Sequence, residues 1–249
     1  MMKVTVLGCW APYAKGGGAC SGYLVESGSQ KVMLDCGNGT FGKLQQHMNF
    51  RQLTGVVISH LHPDHYADLW CLRHALKGSL ADGTRVHKLD LWMPSEPWDV
   101  VAKMTEWQDV FTVHPLEQVR EPVVMGDLWW EFHPTKHAPV TYATKVRTQD
   151  GAALVYSADT AWDEALIHWS QGAHTLLAEA SLQEQDAQVA KKGHLTAAQA
   201  GEWGKKIGVS QLVLTHLWPE YDQRETARQA SVVLGLPVTL ASEVEYFEL

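Results

Sequence analysis

Cysteine is scarce in this 249-residue chain: there are four, at positions 9, 20, 36 and 71. Their spacing fits neither a disulfide framework nor a zinc finger. They are expected to be buried thiols of a reducing, cytoplasmic protein. Long apolar runs are missing too, and none approaches the ~20 residues needed to span a membrane. No membrane partner is therefore expected. The chain enters the strand pattern Lys3-Val4-Thr5-Val6-Leu7 at once, so no signal peptide is expected. No linker, low-complexity segment or charge run marks an internal boundary, and at this length the chain could be one large α/β domain or two small ones. Basic residues are outnumbered, 20 against 28 acidic ones, for a net charge of −8. Binding of a large nucleic acid needs a basic face to neutralise phosphates, so such a partner is not expected.

What is present is concentrated in His60-Leu61-His62-Pro63-Asp64-His65. Three imidazoles and a carboxylate fall within one turn, directly after the apolar run Gly55-Val56-Val57-Ile58-Ser59. A buried strand opening into such a turn can aim several ligands at one point. Imidazole with carboxylate suits zinc, and also iron or manganese. A polar turn gains nothing from this set of residues, whereas a metal does. Three further apolar runs end in a chemically useful residue. Residues 153–158 lead to Asp159, residues 175–178 to Glu179 and residues 212–215 to His216. In α/β sheets ligands gather outside the C-terminal strand edge, and four strand patterns converging there are hard to explain by packing alone.

The His60–His65 motif resembles the signature of the metallo-β-lactamase superfamily. The resemblance implies an α/β fold: a four-layer αβ/βα sandwich forming a single domain over residues 1–249, in two pseudo-symmetric halves, with the site in the cleft between two sheets. It also implies a binuclear hydrolase. His60, His62 and His137 would hold one divalent ion, Asp64, His65 and His216 a second, and Asp159 would bridge both. Zinc is the default metal, with manganese or iron able to use the same ligands. Two cations about 3.5–4 Å apart lower the pKa of a water between them and clamp the attacking and leaving oxygens. Asp64 and Asp159 would temper the charge and accept a proton from that water. Relatives with redox chemistry replace one histidine of the first motif by glutamate, and His62 here favours hydrolysis. Asp35 would support the metal loop from behind, although a turn-forming aspartate before Gly37 explains it as well.

Substrate class turns on Gly193-His194-Leu195-Thr196. Thr196 followed by Gln199 is a capping-box pattern, so His194 precedes a helix start, where backbone N–H groups favour anions. The segment resembles the His-x-Thr element of ribonuclease Z and its phosphodiesterase relatives. There the histidine acts on phosphate oxygens or the leaving group, and a preceding glutamate, here Glu179, orients it. This implies a small or cyclic phosphodiester substrate, with Asp64, Glu179 and His194 as catalytic residues. Hydrolysis of a lactone, carboxylic ester or thioester at the same metals is the alternative. Ribonuclease Z carries a long arm between the third-motif histidine and the bridging aspartate. Residues 138–158 read instead as two strands joined at Gln149-Asp150-Gly151, so RNA processing without that arm is a further alternative. Ser21-Gly22-Tyr23-Leu24-Val25 and Asp35-Cys36-Gly37-Asn38-Gly39 also resemble single-domain metallo-hydrolases of Bacillus-type bacteria.

Strands are expected near residues 4–8, 22–26, 31–35 and 128–133. Helices are expected over 65–77, closing at Gly78, and near 96–104, 163–169 and 223–234. Of the eleven tryptophans, most are expected in the core or in a homodimer contact. Trp10 and Trp218 are expected at the mouth of the site, with Lys15 and Lys136 near enough to meet a substrate phosphate. His114, His133, His168 and His174 have no motif support.

Overall fold

The computed structural model describes residues 1–249, apart from the side chains of residues 105 and 106. Its first half contains β1 (Lys3–Gly8), β2 (Gly22–Ser27), β3 (Gln30–Leu34), α1 (Thr40–His47), β4 (Gly55–Val57), α2 (Pro63–Tyr66), α3 (Leu69–Ala81), β5 (Leu89–Met93), α4 (Trp98–Met104) and β6 (Phe111–Pro115). The second contains β7 (Val123–Met125), β8 (Leu128–Pro134), β9 (Tyr142–Thr148), β10 (Ala153–Tyr156), α5 (Glu164–Trp169), β11 (Thr175–Glu179), α6 (Ala187–Ala190), α7 (Ala197–Ile207), β12 (Gln211–Thr215), α8 (Gln223–Leu234) and β13 (Thr239–Leu240). Strand β14 (Tyr246–Glu248) returns to pair with β1 in the first sheet.

The two sheets have matching orders, β14-β1-β2-β3-β4-β5-β6 and β7-β8-β9-β10-β11-β12-β13. In each, the first three pairings are antiparallel and the last three parallel. The pseudo-symmetry therefore sets β3 against β10, β4 against β11 and β5 against β12. The sheets face each other through one core that mixes both, with Val4, Val25, Leu34 and Val57 packed with Leu128, Trp130, Val146 and Val213. The opposite face of the first sheet, through Leu24, Met33, Val56 and Leu91, packs with Leu44 of α1 and with Leu69, Leu72 and Leu76 of α3. That of the second, through Val155, Leu176, Leu212 and Leu214, packs with α5, α7 and α8. The result is the expected αβ/βα sandwich. Both faces of β10 and β11 are buried along their length, which is why these strands read as continuous apolar runs rather than alternating ones.

The helix expected over 65–77 is two helices. It is interrupted at Asp68, whose backbone N–H donates to the Cys36 carbonyl at 3.0 Å instead of continuing the helix ladder, and α3 then runs past Gly78 to Ala81. Nothing packs where a Cβ would stand on Gly78, so the glycine is tolerated inside an exposed turn. Cys9, Cys20 and Cys36 are buried, but Cys71 is exposed on the outer side of α3. Burial pushes the Cys9 and Cys20 thiols up to about 12, making them poor nucleophiles. Trp107, Trp130 and Trp203 are fully buried, whereas Trp98 is exposed. No helix among the described residues is long and apolar enough to cross a membrane.

Candidate metal centre

The site lies where the C-terminal ends of β3, β4, β10, β11 and β12 meet. The chain leaves β4 through His60 and His62, and Pro63 then starts α2, where a missing N–H costs nothing and the fixed φ suits a helix. Asp64 and His65 follow on α2. Asp159 lies just beyond β10, Glu179 closes β11, and His216 follows β12. His137 comes from the loop after β8, and His194 from the turn before α7. The capping box at Thr196 and Gln199 forms as the sequence suggests. Three non-glycine residues here have left-handed backbone: Asp35 (φ 58°), Ala158 (φ 50°) and His216 (φ 55°). They sit just past β3, β10 and β12, and such strain concentrates where the surrounding structure must aim a group.

The ring nitrogens converge in two groups. His62 Nδ1 lies 3.1 Å from His60 Nε2 and 3.2 Å from His137 Nε2. His65 Nε2 lies 3.1 Å from His216 Nε2. Asp159 stands between them, split by oxygen. Its Oδ2 is 3.6 Å from His60 Nε2 and 3.7 Å from His137 Nε2. Its Oδ1 is 3.4 Å from His65 Nε2 and 3.2 Å from His216 Nε2. Asp64 Oδ2 joins the second group, 3.4 Å from His216 Nε2 and 3.7 Å from His65 Nε2.

Hydrogen bonds behind the rings decide which nitrogens carry protons. Asp35 is fully buried; its Oδ2 accepts from His65 Nδ1 at 2.7 Å, from Ser59 Oγ at 2.9 Å and from Tyr156 Oη at 2.8 Å. Because Ser59 Oγ donates to Asp35, it accepts from His60 Nδ1 at 3.1 Å. The Gly193 carbonyl accepts from His137 Nδ1 at 2.8 Å. Ser181 Oγ donates to Glu179 Oε2 and accepts from His216 Nδ1 at 2.7 Å. Four rings thus present an unprotonated Nε2 to the centre in their neutral form.

Lone pairs facing lone pairs and a carboxylate repel unless positive charge lies between them. Asp159 Oδ1 is buried, and no donor reaches it among the described residues. The spacing fits a cation, since ligand atoms bound at about 2.0–2.1 Å in a tetrahedron stand about 3.3 Å apart. His60, His62, His137 and Asp159 form one cluster able to bind a metal, and Asp64, His65 and His216 another. The electrostatics agree. Burial, and then neighbouring His65, His137 and His62, drive the His60 imidazolium well below its ordinary range. Burial opposes charge on His65 as well, but Asp159, Asp35 and Asp64 outweigh it and push the ring up to about 10. Burial disfavours the Asp64 carboxylate, yet His65 and His216 hold its pKa well below the usual range. The His65 side of the centre therefore demands positive charge, which a proton or a metal ion can supply.

His194 packs beside His137 and His216, with ring centroids 5.1 and 5.6 Å away, but is held by a different partner. Its Nδ1 lies 3.2 and 3.3 Å from the two oxygens of Glu179, which is fully buried and also accepts from the Thr160 N–H at 2.7 Å. Burial opposes the charged form of His194, but Glu179 and then Asp159 outweigh it, raising the pKa to about 9. Burial likewise opposes ionisation of Glu179, and His194 and His216 overcome it. His194 can also group with Asp159 and His216, but its Nδ1 is already engaged by Glu179. Its free Nε2 belongs to a residue lining a cavity of about 410 Å³, whose other walls include His62, Asp64, Asp159 and His216. Ala11, Pro12, Leu182, Val189 and Trp218 make the apolar part of that wall.

Trp218 is thus at the mouth as expected, whereas Trp10 is not: Ala11 and Pro12 take that place. The Trp10 ring lies under the Lys15 ammonium at 4.3 Å, and Lys136 pairs with Asp163 at 3.3 Å, so neither lysine lines the cavity. Asp35 is where the resemblance puts it. Ser59, Tyr156, Ser181 and the Gly193 carbonyl are contributions that the sequence reading lacks. The two serines were legible only as small polar residues at strand ends, and Tyr156 reads from sequence as one more core aromatic.

The comparisons with known proteins agree with this geometry. Residues 30–217 match the family model described as a β-lactamase superfamily domain. Over 242 residues the chain is 31% identical to the probable metallo-hydrolase YhfI of Bacillus subtilis, covering 96% of this chain and 97% of that one. The crystal structure of YhfI superposes with a TM-score of 0.92 over 100% of this chain and 99% of that one, at 28% identity. A ribonuclease Z of Mycolicibacterium gilvum is 28% identical over 88% of this chain and 85% of its own length. The chain therefore belongs to the β-lactamase superfamily of metallo-hydrolases. Human tRNase Z, short form, shares the fold, with a TM-score of 0.78 at 19% identity, covering 99% of this chain and 98% of that one.

Proposed function

We propose that the protein is a binuclear metallo-phosphodiesterase acting on a small or cyclic phosphodiester. His60, His62 and His137 would hold one ion and Asp64, His65 and His216 the other, with Asp159 shared through its separate oxygens. Zinc fits best because imidazoles dominate the donor set, and manganese or iron could use the same atoms. Such a pair supplies a water nucleophile at neutral pH and charge stabilisation for the phosphoryl oxygens.

The observation that carries the phosphodiester reading is the Glu179–His194 pair. Glu179 holds His194 Nδ1, so His194 can donate from Nε2 to an oxygen leaving the phosphorus. Ser181 fixes Glu179 from the other side and so holds the pair in register with His216. Asp64 and Asp159 would take up the proton released by the attacking water. The likeness to ribonuclease Z supports cleavage at phosphorus. A cavity of about 410 Å³ suits a small substrate. Residues 138–158, which form much of β9 and β10, leave no place for an RNA-gripping arm.

The test is hydrolysis of bis(p-nitrophenyl) phosphate, p-nitrophenyl acetate and a simple lactone by zinc- or manganese-loaded protein. Diester turnover that falls about 10²–10³-fold in His194→Ala is expected. Ester or lactone turnover indifferent to that substitution would instead assign the protein to carboxylic substrates.

A further inference from the structure

The cavity beside the candidate centre has an unusual balance for a site that acts on phosphate esters. No lysine or arginine lines it among the described residues. Its wall away from the histidines is apolar, built by Ala11, Pro12, Leu182, Val189 and Trp218. Trp218 is 37% exposed and leans on Tyr221 with ring centroids 5.4 Å apart. Two tyrosines beside this wall hold carboxylates. Glu220 accepts from Tyr13 Oη at 2.7 Å, and Asp186 accepts from Tyr221 Oη. Neither carboxylate lines the cavity itself. Lys191 and Lys192 are exposed on the turn before His194, outside the cavity lining.

A second phosphate lying against this apolar wall, away from the histidines, would find no lysine or arginine to pair with. A charge desolvated against apolar side chains without a partner costs affinity. A flat, uncharged ring would instead cover the exposed face of Trp218. Resting on the phosphodiester reading above, we propose that this cavity selects diesters that carry a single negative charge and a flat uncharged group lying against Trp218, and rejects those bearing a further phosphate.

Three chromogenic diesters that release the same p-nitrophenolate test this: methyl p-nitrophenyl phosphate, thymidine 5′-(p-nitrophenyl phosphate), and the latter with a 3′-phosphate added. With metal-loaded wild type, kcat/KM should rank thymidine ester first, and the 3′-phosphate should lower it at least about 10-fold. Trp218→Ala should lower the preference for the thymidine ester over the methyl ester about 10-fold, the scale of a lost base stack, and Trp218→Phe should keep most of it. Calorimetry on the His194→Ala protein, comparing binding of the thymidine ester with its 3′-phosphorylated form, should give the same order without turnover. Equal or better use of the 3′-phosphorylated ester, above all if Lys191→Ala/Lys192→Ala abolishes it, would overturn the inference while leaving a phosphodiesterase. An undiminished thymidine preference in Trp218→Ala would overturn the aromatic contact. Failure to hydrolyse any of the three diesters would overturn the phosphodiester reading itself.

Discussion

Asp35 and His65 meet at 2.7 Å behind the His65–His216 group, carboxylate Oδ2 to ring Nδ1, both wholly buried. The same carboxylate accepts from Ser59 N, Ser59 Oγ and Tyr156 Oη. One side chain thereby fixes the His65 tautomer, orders the loop that carries His60, and ties the first sheet to β10 of the second.

Replacing Asp35 by Asn should weaken metal binding at the His65 group about 10–100-fold, the usual effect of losing a carboxylate behind a ligating ring. An amide also brings two N–H donors into a pocket already filled by donors, so the fold should lose stability as well. Chelator competition on the purified variant measures the first effect. An affinity equal to wild type would reduce Asp35 to a turn-forming residue.

Metal should stabilise the protein, because it replaces proton and lone-pair conflict with bonds at a buried centre. A ligand at about a hundredfold excess over its Kd adds about 2.7 kcal/mol per site. For a chain of this size that is about 5–10 °C in Tm. Thermal scans of chelator-treated protein with and without zinc should show the rise, together with recovery of hydrolysis. An unchanged Tm would argue against a resident ion.

Proton donation by His194 requires its protonated ring, whose pKa Glu179 helps raise to about 9. A raised histidine pKa keeps the proton below that value and loses it as pH climbs through it. Activity should therefore fall on the alkaline side, at or below about pH 9, since nearby cations oppose the proton. Glu179→Gln removes the largest favourable influence and should shift the limb to lower pH. His194→Ala should erase it. A limb identical in all three proteins would place the acid elsewhere.

Gly193 holds φ at 123°, a region L side chains rarely adopt, and a Cβ there would stand 2.7 Å from His137 Nδ1. Its carbonyl is the acceptor that sets the His137 tautomer. Gly193→Ala should displace His137 and lower metal affinity at the His60 group, with a stability cost of about 1–3 kcal/mol from backbone strain. Denaturant unfolding and metal titration measure these separately.

Much of the site was legible because its ligands are covalently local. His60, His62, Asp64 and His65 fall in one turn, and a buried strand before it is a strong pattern. Glu179 and His216 follow apolar runs for the same reason. The α3 boundaries were less legible, since the Asp68 N–H leaves the helix ladder for the carbonyl of Cys36, far back in the chain. Strands β5 and β6 and helix α1 escaped notice because their patterns are short and mixed. The rejection of Trp10 in favour of Ala11 and Pro12 depends on where the loop after β1 folds back against Leu217.

By itself the sequence determined the apolar strand patterns that end at His60, Asp159, Glu179 and His216, because periodicity and spacing are properties of neighbouring residues; the fold class, the two ligand groups and the Glu179–His194 pairing were implied by the family resemblance that those motifs carry. Tertiary structure alone decided which nitrogen each ring turns inward, that Asp159 divides its oxygens between the groups, and that no lysine or arginine lines the cavity among the described residues. Those depend on Asp35, Ser59, Ser181 and the Gly193 carbonyl arriving from separate strands and turns. Sequence spacing carries no information about a hydrogen bond between residues 30 to 121 positions apart.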